Sequence, residues 1–478
     1  MKIIPVILCG GIGTRLWPVS KTSAPKQFVS ILDEHTFFEA TLLRLKDADF
    51  FTHPLIICSK NHQYLCEEQL DGLGISPLDI IVEPMGRNTM PAITIACLHI
   101  EKLYGAAKQL LILPVDHVVS NPQYYFETIK RVSGLAKQHL ITFGVQPMHA
   151  HTGYGYLKKG DVIADDVYQV KQFIEKPSHE IAKGLVASDD VLWNSGTFLL
   201  DTSLLLSETK KHMPGMIDAA AAALTDAKRQ QTFLNLSACF FERCENISID
   251  YALLEKTDTL ALVALHLRFI DIGSWESLYD HGEKKVDDNV CKGPVFSEDT
   301  QRCFLYSDNK LLVTIGLQDC IVVATQDSIL VSKRGQSQKL KKILPKLSVE
   351  HKEQLNNQTI MRRPWGSYEV LFSSLTYKVK KLTVRSGAKL SLQMHEHRSE
   401  HWVVVSGQAH IICNEEQCIL NPEDSFFIPK QVKHCITNRG RDPLVIIETQ
   451  MGSYVGEDDI VRFDDIYERI DELEDIIQ

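Results

Sequence analysis

Short apolar runs alternate with amphipathic stretches along roughly the first 144 residues of the chain. Each run is long enough for one buried strand, and the stretches between them have the spacing of helices that cover a sheet. This alternation is typical of an α/β domain with a largely parallel, Rossmann-like sheet. The runs occupy residues 3–8, 55–58, 80–82, 110–113 and 140–143.

The same domain continues beyond this region with more strands and turns. Residues 153–198 and 248–275 carry further strand-like patterns, whereas the alanine-rich segment 216–233 between them predicts a helix. We therefore predict a first domain over residues 1–286, which ends when this sheet is complete.

A pattern of short strands without helical stretches begins near residue 287. Within it, the sequence QDCIVV at 318–323 recurs eight residues later as QDSILV at 326–331. The two copies predict two stacked rungs of a β-solenoid-like connector, and an ordinary β-meander explains them equally well. The lysine-rich segment 333–352 predicts a surface helix, so connector and linker helix together span residues 287–349.

Beyond residue 362 the chain has almost only β-patterned runs, separated by turn residues at the spacing of a small barrel. The tail 456–478 differs, because it is acidic and its pattern predicts a helix. Both belong to a third predicted domain, residues 350–478. Its predicted strands lie at 377–384, 389–395, 401–405, 410–413, 425–428 and 444–448.

Length and composition exclude several classes of protein. The 478 residues exceed what one hydrophobic core normally supports. The formal charge of −10 argues against a protein that mainly binds nucleic acid, because such proteins concentrate Lys and Arg. No stretch reaches the roughly 20 apolar residues of a membrane span. The twelve cysteines include no C-x-x-C pair, which favours free thiols in a reducing compartment and predicts a cytoplasmic protein.

A glycine-rich loop follows the first predicted strand. Gly10, Gly11 and Gly13 lie where the backbone N–H groups of a strand-to-helix turn converge, a geometry that suits a phosphate group. The loop lacks the Gly-Lys-Ser/Thr of a Walker A motif, and a leucine replaces the last glycine of G-x-G-x-x-G. What it does contain is G-G-x-G-x-R-L-x-P with a lysine eight residues later, so Arg15 and Lys26 are the candidate cations.

At these residues the sequence resembles the sugar-1-phosphate nucleotidyltransferases. Four further segments narrow the resemblance to the mannose-1-phosphate guanylyltransferases. Residues 83–89 (EPMGRNT) resemble that family's nucleotide-base segment, and residues 113–117 (LPVDH) resemble its metal-binding strand end. Residues 173–177 (FIEKP) and 193–198 (WNSGTF) resemble its sugar-phosphate pocket.

The resemblance implies transfer of GMP from GTP to mannose 1-phosphate, giving GDP-mannose and pyrophosphate. This reaction concentrates negative charge on the α-phosphate and on pyrophosphate, so cations and N–H donors lower its barrier. The attacking sugar phosphate is already ionised, so positioning dominates and no strong general base is required. Mg²⁺ on Asp116 and Asp271 is also implied, because Mg²⁺ prefers oxygen ligands and bridges phosphates. The implied residues are catalytic Arg15, Lys26, Asp116 and Asp271, nucleotide-binding Gly10, Gly11, Gly13, Thr14, Arg15, Gly86, Arg87, Asn88 and Thr89, and sugar-phosphate-binding Gly155, Glu175, Lys176 and Asn194.

Histidines and a glutamate in the third domain have the spacing of a metal site on a barrel. Gln393 and His395 point to one face of a strand, because alternate residues share a face. The surrounding sequence follows the two motifs of the cupin barrels, with Glu400 in the first motif and His434 in the second. We expect these four residues to surround one divalent metal, Zn²⁺, Mn²⁺, Fe²⁺ or Co²⁺, and a set with His397 in place of Gln393 is the alternative.

Three segments of this domain resemble the type II mannose-6-phosphate isomerases, namely residues 362–366 (RRPWG), 398–402 (RSEHW) and 452–462 (GSYVGEDDIVR). Nearly the whole chain therefore resembles the bifunctional isomerase/guanylyltransferases. The resemblance implies interconversion of mannose 6-phosphate and fructose 6-phosphate, in which a metal stabilises an enediolate and catalytic Arg462 contacts the phosphate or the enediolate. A non-catalytic sugar-phosphate sensor or assembly module is the alternative. The sequence leaves the oligomeric state open, a homo-oligomer included.

Overall fold

The computed structural model describes residues 2–464, except positions 12, 32, 47, 268, 348–350, 352–354 and 356–359 and the side chains of 269–271. The chain divides into two units, Met1–Leu355 and Asn356–Gln478. The predicted helical tail lies largely beyond residue 464 and therefore outside the described residues. Within the described part of the chain, no helix has the length and apolar character needed to cross a membrane.

The first unit begins with an α/β region that follows the predicted order over its first 144 residues, whereas the segments 153–198 and 248–275, predicted as strands and turns, also contain the helix His179–Val186 and the π-helix Asp250–Leu254. Its strands are Ile4–Cys9 (β1), Leu55–Ser59 (β2), Asp79–Glu83 (β3), Gln109–Pro114 (β4), His117–Val119 (β5), Leu140–Val145 (β6), Tyr156–Ala164 (β7), Val167–Ile174 (β8), Val191–Asp201 (β9), Lys228–Gln230 (β10), Phe233–Asn235 (β11), Leu260–Leu265 (β12) and Phe269–Asp271 (β13). Its α-helices are Phe37–Lys46 (α1), Gln63–Gly72 (α2), Thr89–Tyr104 (α3), Pro122–Val132 (α4), His179–Val186 (α5), Thr202–His212 (α6), Pro214–Thr225 (α7), Ala238–Phe241 (α8) and Trp275–His281 (α9).

Eleven of these strands form one mixed sheet in the order β10-β11-β3-β2-β1-β4-β9-β6-β12-β8-β7. The strands β11-β3-β2-β1-β4 run parallel, and β9 is antiparallel to both β4 and β6. Ile7 and Cys9 pack with α1, α2 and α4, whereas Ile4 and Val6 pack with α3, α6 and α7 on the other face. Because both faces are buried, β1 is a continuous apolar run rather than an alternating one.

The helix predicted at 216–233 is wrong at its carboxyl end. Helix α7 ends at Thr225, and the chain then forms the antiparallel β10–β11 hairpin. Phe233 lies opposite Ile80 and is buried, so β11 extends the sheet instead of continuing the helix. The alanine run alone favoured a helix, but sheet pairing and the burial of Phe233 outweigh that local preference.

The connector is a solenoid, but its rungs are not the two copies identified in the sequence. Its strands are Val290–Lys292 (β14), Val295–Glu298 (β15), Phe304–Ser307 (β16), Leu312–Ile315 (β17), Cys320–Ala324 (β18) and Ile329–Lys333 (β19), followed by helix Leu340–Leu347 (α10).

Strands β14, β16 and β18 stack in parallel, and β15 stacks on β17. The copies at 318–323 and 326–331 instead hold β18 and β19, which pair antiparallel as a hairpin. Eight residues are too few for a two-stranded rung and its corners, so the chain reverses between Thr325 and Ser328. The linker helix also begins later than predicted, at Leu340, because β19 extends to Lys333 and the one-turn 3-10 helix Ser337–Lys339 precedes α10.

The connector packs against the segment that follows the glycine-rich loop. Leu16, Val19 and Ile31 share a core with Phe304 and Ile321 of the solenoid. The buried ammonium group of Lys21 forms an ion pair with Asp327, with Nζ 2.5 Å from Oδ2. The solenoid therefore supports the same segment that carries Lys26.

We expect Asp327→Ala to lower the free energy of unfolding of the first unit by about 2 kcal/mol, because it leaves the Lys21 ammonium group buried without this partner. The midpoint of urea unfolding measures the loss. The exposed residue Glu298 on β15 provides the control Glu298→Ala, for which we expect no comparable shift. Equal midpoints for both variants would contradict a stabilising role for the ion pair.

The second unit is an antiparallel β-barrel of two sheets. Its interior contains an apolar core, with Trp402, Ile436 and Ile446 among the buried residues. The α/β fold with a carboxyl-terminal cupin-like barrel is thus confirmed. The strands are Ile360–Arg363 (β20), Gly366–Ser373 (β21), Tyr377–Val384 (β22), Leu392–Met394 (β23), Arg398–Ser406 (β24), Ala409–Cys413 (β25), Glu416–Leu420 (β26), Ser425–Ile428 (β27), His434–Asn438 (β28), Leu444–Gly452 (β29) and Val461–Asp464 (β30). The strand orders of the two sheets are β20-β21-β22-β29-β24-β27 and β26-β25-β28-β23-β30.

Candidate active sites

A cavity of about 440 Å³ lies at the carboxyl ends of the parallel strands in the first unit. Strands β1, β3 and β4 end at the same edge of the sheet, so the loops that follow them meet there. Residues that the sequence assigned to the phosphates, the base and the sugar therefore share one cavity wall. The predicted residues that line it are Gly10, Gly11, Lys26, Gly86, Arg87, Asn88, Thr89, Asp116, Gly155, Glu175 and Asn194.

An ion pair between Lys26 and Asp116 lies in the middle of this wall. Lys26 Nζ is 2.5 Å from Asp116 Oδ2 and donates a second hydrogen bond to the carbonyl oxygen of Ile272 at 3.0 Å. Burial alone would raise the pKa of Asp116, but the charges of Lys26 and His117 hold it well below its usual value. The carboxylate is therefore ionised at neutral pH and offers oxygen ligands to a cation.

Gly13, Thr14 and Arg15 are described residues that do not line the cavity. Gly13 has a φ of +68°, and a Cβ atom there would lie 2.8 Å from Cγ of Lys26. Glycine is required at this position because the aliphatic part of Lys26 packs directly on its backbone. Arg15 lies in the one-turn helix Thr14–Leu16 and is partly exposed.

Asp271 was predicted to share a Mg²⁺ ion with Asp116. In the β5–β13 ribbon its backbone is paired with His117, and the Ile272 N–H donates to the carbonyl oxygen of Asp116 at 3.2 Å. The backbones of the two aspartates are therefore close to each other at one end of the ribbon. The Asp271 side chain is outside the described residues.

Gln27 shapes the glycine-rich loop and was missed in the sequence. Its side chain is fully buried, and Nε2 donates to the carbonyl oxygens of Cys9 and Gly11 at 3.0 and 3.1 Å. These bonds fix the path of the loop, because they satisfy carbonyl groups that the loop cannot pair within itself. Its place directly after Lys26 is the signal that sequence reasoning could have used.

The base end of the cavity contains a carboxyl group that the predicted site omitted. Glu83 ends β3 and lines the cavity, and burial raises its pKa to about 8. Its Oε1 atom is buried without a hydrogen-bond partner in the described structure. Nearby in the chain, the Asn88 side chain accepts from the Thr89 N–H at 3.0 Å and caps helix α3. Glu83, the first residue of the predicted base segment 83–89, thus offers a carboxyl group to a ligand, although it was not among the predicted nucleotide-binding residues.

Glu175 and Asn194 line the sugar end of the cavity, whereas the predicted residue Lys176 does not line it and lies beside Glu175. Lys176 Nζ lies 2.5 Å from Glu175 Oε1, with the lysine side chain 55% exposed and that of the glutamate 7% exposed. A Cβ atom on Gly155 would lie 2.5 Å from Glu175 Oε2, so a larger residue here would displace the Glu175 carboxylate. Asp250 also lines the cavity here and was missed in the sequence, although its segment 248–275 was identified.

The second unit brings His395, Glu400 and His434 together as a buried group of metal-ligating atoms. His395 Nε2 is 3.0 Å and His434 Nε2 is 3.6 Å from the Glu400 carboxylate. Burial would raise the pKa of Glu400, but its contacts with the two histidines hold it well below its usual value. The carboxylate is therefore ionised in the interior of the barrel.

The hydrogen bonds of the two histidines favour one tautomer. His395 Nδ1 is 2.7 Å from the carbonyl oxygen of Asp459, and His434 Nδ1 is 2.9 Å from that of Val432. Each carbonyl oxygen accepts from Nδ1–H, so Nε2 of each ring faces Glu400. Two imidazole nitrogens and a carboxylate converge, and a divalent cation fits between them because it would bond to all three.

Three residues of the barrel hold the Glu400 carboxylate in place. Arg398 Nε and Gln450 Nε2 donate to Oε1 at 3.2 and 3.1 Å, and Trp402 Nε1 donates to Oε2 at 3.2 Å. Trp402 also donates to Glu448, whose pKa is raised to about 8 by burial and by the charge of Glu400. Gln450 and Glu448 were missed in the sequence because they lie on β29, far along the chain from the cupin motifs.

The remaining predicted residues of the barrel separate into two groups. Gln393 lies opposite both His434 and Arg462 in the strand register, and together with Arg462 it lines a cavity that also includes Glu400. His397 instead lies at the surface, 58% exposed, with Nδ1 2.9 Å from Asp459 Oδ1. The alternative ligand set with His397 is therefore not the one that the barrel assembles, because the chain bends at residues 396 and 397 and the His397 ring contacts Asp459 instead.

Comparisons with known proteins match the α/β region, the solenoid and the barrel. The family profile described as Nucleotidyl transferase matches residues 4–287, more than half of the chain. The profile described as MannoseP isomerase/GMP-like beta-helix domain matches residues 293–347, and the profile described as Mannose-6-phosphate isomerase C-terminal matches residues 350–465.

Individual relatives match over nearly their full length. Alginate biosynthesis protein AlgA of Pseudomonas aeruginosa is 39% identical over 470 residues, which cover 98% of this chain and 97% of that protein. A mannose-1-phosphate guanylyltransferase of Klebsiella pneumoniae is 36% identical over 471 residues, covering 98% of this chain and 100% of the relative. A crystal structure described as a mannose-1-phosphate geranyltransferase from Thermus thermophilus is 26% identical with a TM-score of 0.64, covering 73% of this chain and 100% of that one.

The two sites, the order of the three profiles and the full-length relatives agree with one another. The chain belongs to the mannose-1-phosphate guanylyltransferase family whose members join a nucleotidyl transferase domain to a mannose-6-phosphate isomerase carboxyl-terminal domain.

Proposed function

We propose that the first unit transfers GMP from GTP to mannose 1-phosphate, giving GDP-mannose and pyrophosphate. The observation that carries this proposal is that one cavity holds the glycine-rich loop, the Lys26–Asp116 pair, the base segment and the sugar pocket. Relatives named mannose-1-phosphate guanylyltransferase support the choice of base and sugar.

The proposed roles follow from charge and position. Backbone N–H groups of Gly10 and Gly11 and the ammonium group of Lys26 contact the triphosphate, where charge increases as pyrophosphate leaves. Arg15 approaches the same phosphates from the exposed side of the loop. Lys176 contacts the sugar phosphate, while Glu175 and Asn194 bind sugar hydroxyl groups and aim the phosphate oxygen at the α-phosphate. The segment Gly86, Arg87, Asn88 and Thr89 contacts the base and its ribose.

A Mg²⁺ ion fits the same wall. Asp116 offers an ionised carboxylate to the cavity, and the backbone of Asp271 lies beside that of Asp116. We propose that these two residues hold the ion. When bound, Mg²⁺ supplies neutralisation of the charge shared between neighbouring phosphates.

Product analysis tests the proposed transferase. The full-length chain is incubated with each pairing of mannose 1-phosphate or glucose 1-phosphate with GTP or ATP in the presence of Mg²⁺. We expect GDP-mannose and stoichiometric pyrophosphate from GTP and mannose 1-phosphate, with the other pairings slower. No pyrophosphate release from that pair would overturn the proposal.

We expect Glu83→Gln to reduce the preference for GTP over ATP by about 10- to 100-fold in kcat/KM, the size of one lost hydrogen bond to a charged group. The guanine edge presents N–H donors, which lower the pKa of Glu83 from about 8 when they bond to its carboxylate, whereas the glutamine amide adds a competing donor. The ratio of kcat/KM for GTP and ATP is the measurement, and an unchanged ratio would remove Glu83 from base recognition.

The Glu83→Gln change should also alter how the stability of the folded chain depends on pH. Because the pKa of Glu83 is about 8 in the folded chain and lower when unfolded, the folded state binds the extra proton and wild-type stability falls as pH rises toward 8. We expect Glu83→Gln to become more stable relative to wild type over the same range.

For the second unit we propose a metal-dependent interconversion of mannose 6-phosphate and fructose 6-phosphate. Gln393, His395, Glu400 and His434 would hold a divalent metal (Zn²⁺, Co²⁺, Mn²⁺ or Fe²⁺), which supplies charge stabilisation for an enediolate. Arg462, opposite Gln393, would bind the phosphate or the enediolate. The buried trio of ligand atoms supports this assignment.

One assay distinguishes a metal-dependent isomerase from the alternative, a non-catalytic sugar-phosphate sensor. The full-length chain is treated with a chelator, reloaded with each metal, and assayed with mannose 6-phosphate. Isomerisation that returns with a metal supports the enzyme, and metal binding without any turnover in a chain that makes GDP-mannose supports the sensor.

We also propose the domain boundaries and the cellular location of the chain. The domain boundaries near residues 286 and 349 follow from the sequence patterns. A cytoplasmic location is supported by the twelve cysteines, all of which are free thiols.

A further inference from the structure

Asp250 is fixed at the sugar end of the cavity by the hydrophobic core behind it. It begins the five-residue π-helix Asp250–Leu254, whose residues Ala252, Leu253 and Leu254 are buried in the core. The preceding residue is also tied down, because the Ile249 N–H donates to Thr89 Oγ1 at 3.0 Å. The carboxylate of Asp250 therefore lines the cavity from a segment that is anchored on both sides.

The neighbouring amide group of Asn194 has a defined orientation. Its Oδ1 atom accepts from Thr142 Oγ1 at 2.8 Å and from the Gly196 N–H at 3.2 Å. Its Nδ2 atom donates one hydrogen to Asp250 Oδ1 at 3.1 Å. Because both lone-pair sites of the amide oxygen are used, the amide group cannot flip without losing all three bonds. The second Nδ2 hydrogen and the Asp250 carboxylate remain as a donor and an acceptor side by side.

This donor–acceptor pair matches the chemistry of a sugar hydroxyl group, which accepts one hydrogen bond and donates another. One oxygen of Glu175, the other carboxylate at this end, is paired with Lys176, with Oε1 2.5 Å from Nζ. Burial and the charge of Glu175 raise the pKa of Asp250 to about 6, so it is mainly ionised at neutral pH and accepts well.

We infer that Asp250, together with Asn194, binds one hydroxyl group of the hexose 1-phosphate and is a specificity-determining residue of the transferase. The inference rests on the proposed function and adds to it the residue that distinguishes hexoses. A buried site built to bond a hydroxyl group discriminates strongly against a sugar that lacks or displaces it, because its polar groups are then left unpaired.

The test combines a conservative variant with deoxy sugars. We expect Asp250→Asn, which keeps the shape and removes the charge, to lower kcat/KM for mannose 1-phosphate by about 10- to 100-fold while KM for GTP stays unchanged. Glu255→Gln is the matched control, because Glu255 is an exposed carboxylate at the other end of the same helix. We expect it to behave as wild type.

The 2-, 3-, 4- and 6-deoxy analogues of mannose 1-phosphate then identify the contact. For the analogue that lacks the hydroxyl group bound by Asp250, wild type and Asp250→Asn should have equal kcat/KM, because the bond is already missing. Independent, additive losses with every analogue would overturn the inference, as would an Asp250→Asn enzyme with wild-type kinetics.

Two measurements distinguish recognition of the sugar from a merely structural role of Asp250. A structural role would lower the unfolding temperature and raise KM for GTP as well, whereas recognition of the sugar changes only the sugar kinetics. If wild type itself makes no GDP-mannose, the proposed function fails and the inference fails with it. If wild type is active but no analogue abolishes the difference between it and Asp250→Asn, the inference alone fails.

Discussion

Replacing Lys26 by methionine is expected to lower kcat for GDP-mannose formation by about 10³-fold, the scale of removing one positioned charge from a nucleotidyl or phosphoryl transfer site. Methionine keeps the aliphatic packing on Gly13 but cannot pair with Asp116 or bind the triphosphate. The pKa of Asp116 should also rise, because the nearest cation that lowers it is gone. Pyrophosphate release under saturating GTP and mannose 1-phosphate is the measurement.

The exposed lysine Lys60 provides the matched control for this substitution. We expect Lys60→Met to keep full transferase activity and Lys26→Arg to lie between wild type and Lys26→Met, since arginine retains the charge but differs in shape. Isomerisation by Lys26→Met should be unchanged. A fully active Lys26→Met enzyme would show that the cavity does not bind the triphosphate where we place it.

Glu400→Gln is expected to remove both the metal and the isomerase activity, with a loss of about 10³-fold in kcat. The neutral amide keeps the size of the side chain but no longer supplies the negative charge that faces His395 and His434. Metal content per chain, measured by elemental analysis after dialysis, and conversion of mannose 6-phosphate to fructose 6-phosphate are the two measurements.

Glu416→Gln is the control for this change, because Glu416 is an exposed carboxylate on another strand of the same barrel. Transferase activity should be the same in all three proteins, because the nucleotide cavity is lined by residues of the first unit. A Glu400→Gln protein that keeps its metal and its isomerase activity would place the metal elsewhere.

Sequence patterns predicted some residues of the proposed nucleotide site and missed others. The order of β1, the glycine-rich loop and Lys26 was readable because each is local, and a parallel strand delivers the loop after it to a predictable edge of the sheet. Gln27 and Asp250 were not readable in this way. Their importance comes from what they touch, namely loop carbonyl groups in one case and the Asn194 amide group in the other.

The proposed metal site also combines features that the sequence predicted with features that only the structure revealed. The spacing of His395, Glu400 and His434 identified a group that the barrel does bring together. The same alternation made His397 an alternative ligand, but the chain bends at residues 396 and 397 and the His397 ring contacts Asp459. Alternation along a strand does not continue through such a bend, and the position of the bend depends on tertiary contacts.

By itself, the sequence determined the fold class, the positions of the buried strands and the two sets of polar residues with the spacing of a phosphate loop and a metal site. Those features depend on burial periodicity and on short motifs, which are local properties of a chain. Only the tertiary structure decided that β18 and β19 form a hairpin, that an oxygen of Glu83 is buried without a hydrogen-bond partner among the described residues and that Asp250 reaches Asn194. These features depend on strand order and on packing between segments, which no local pattern encodes.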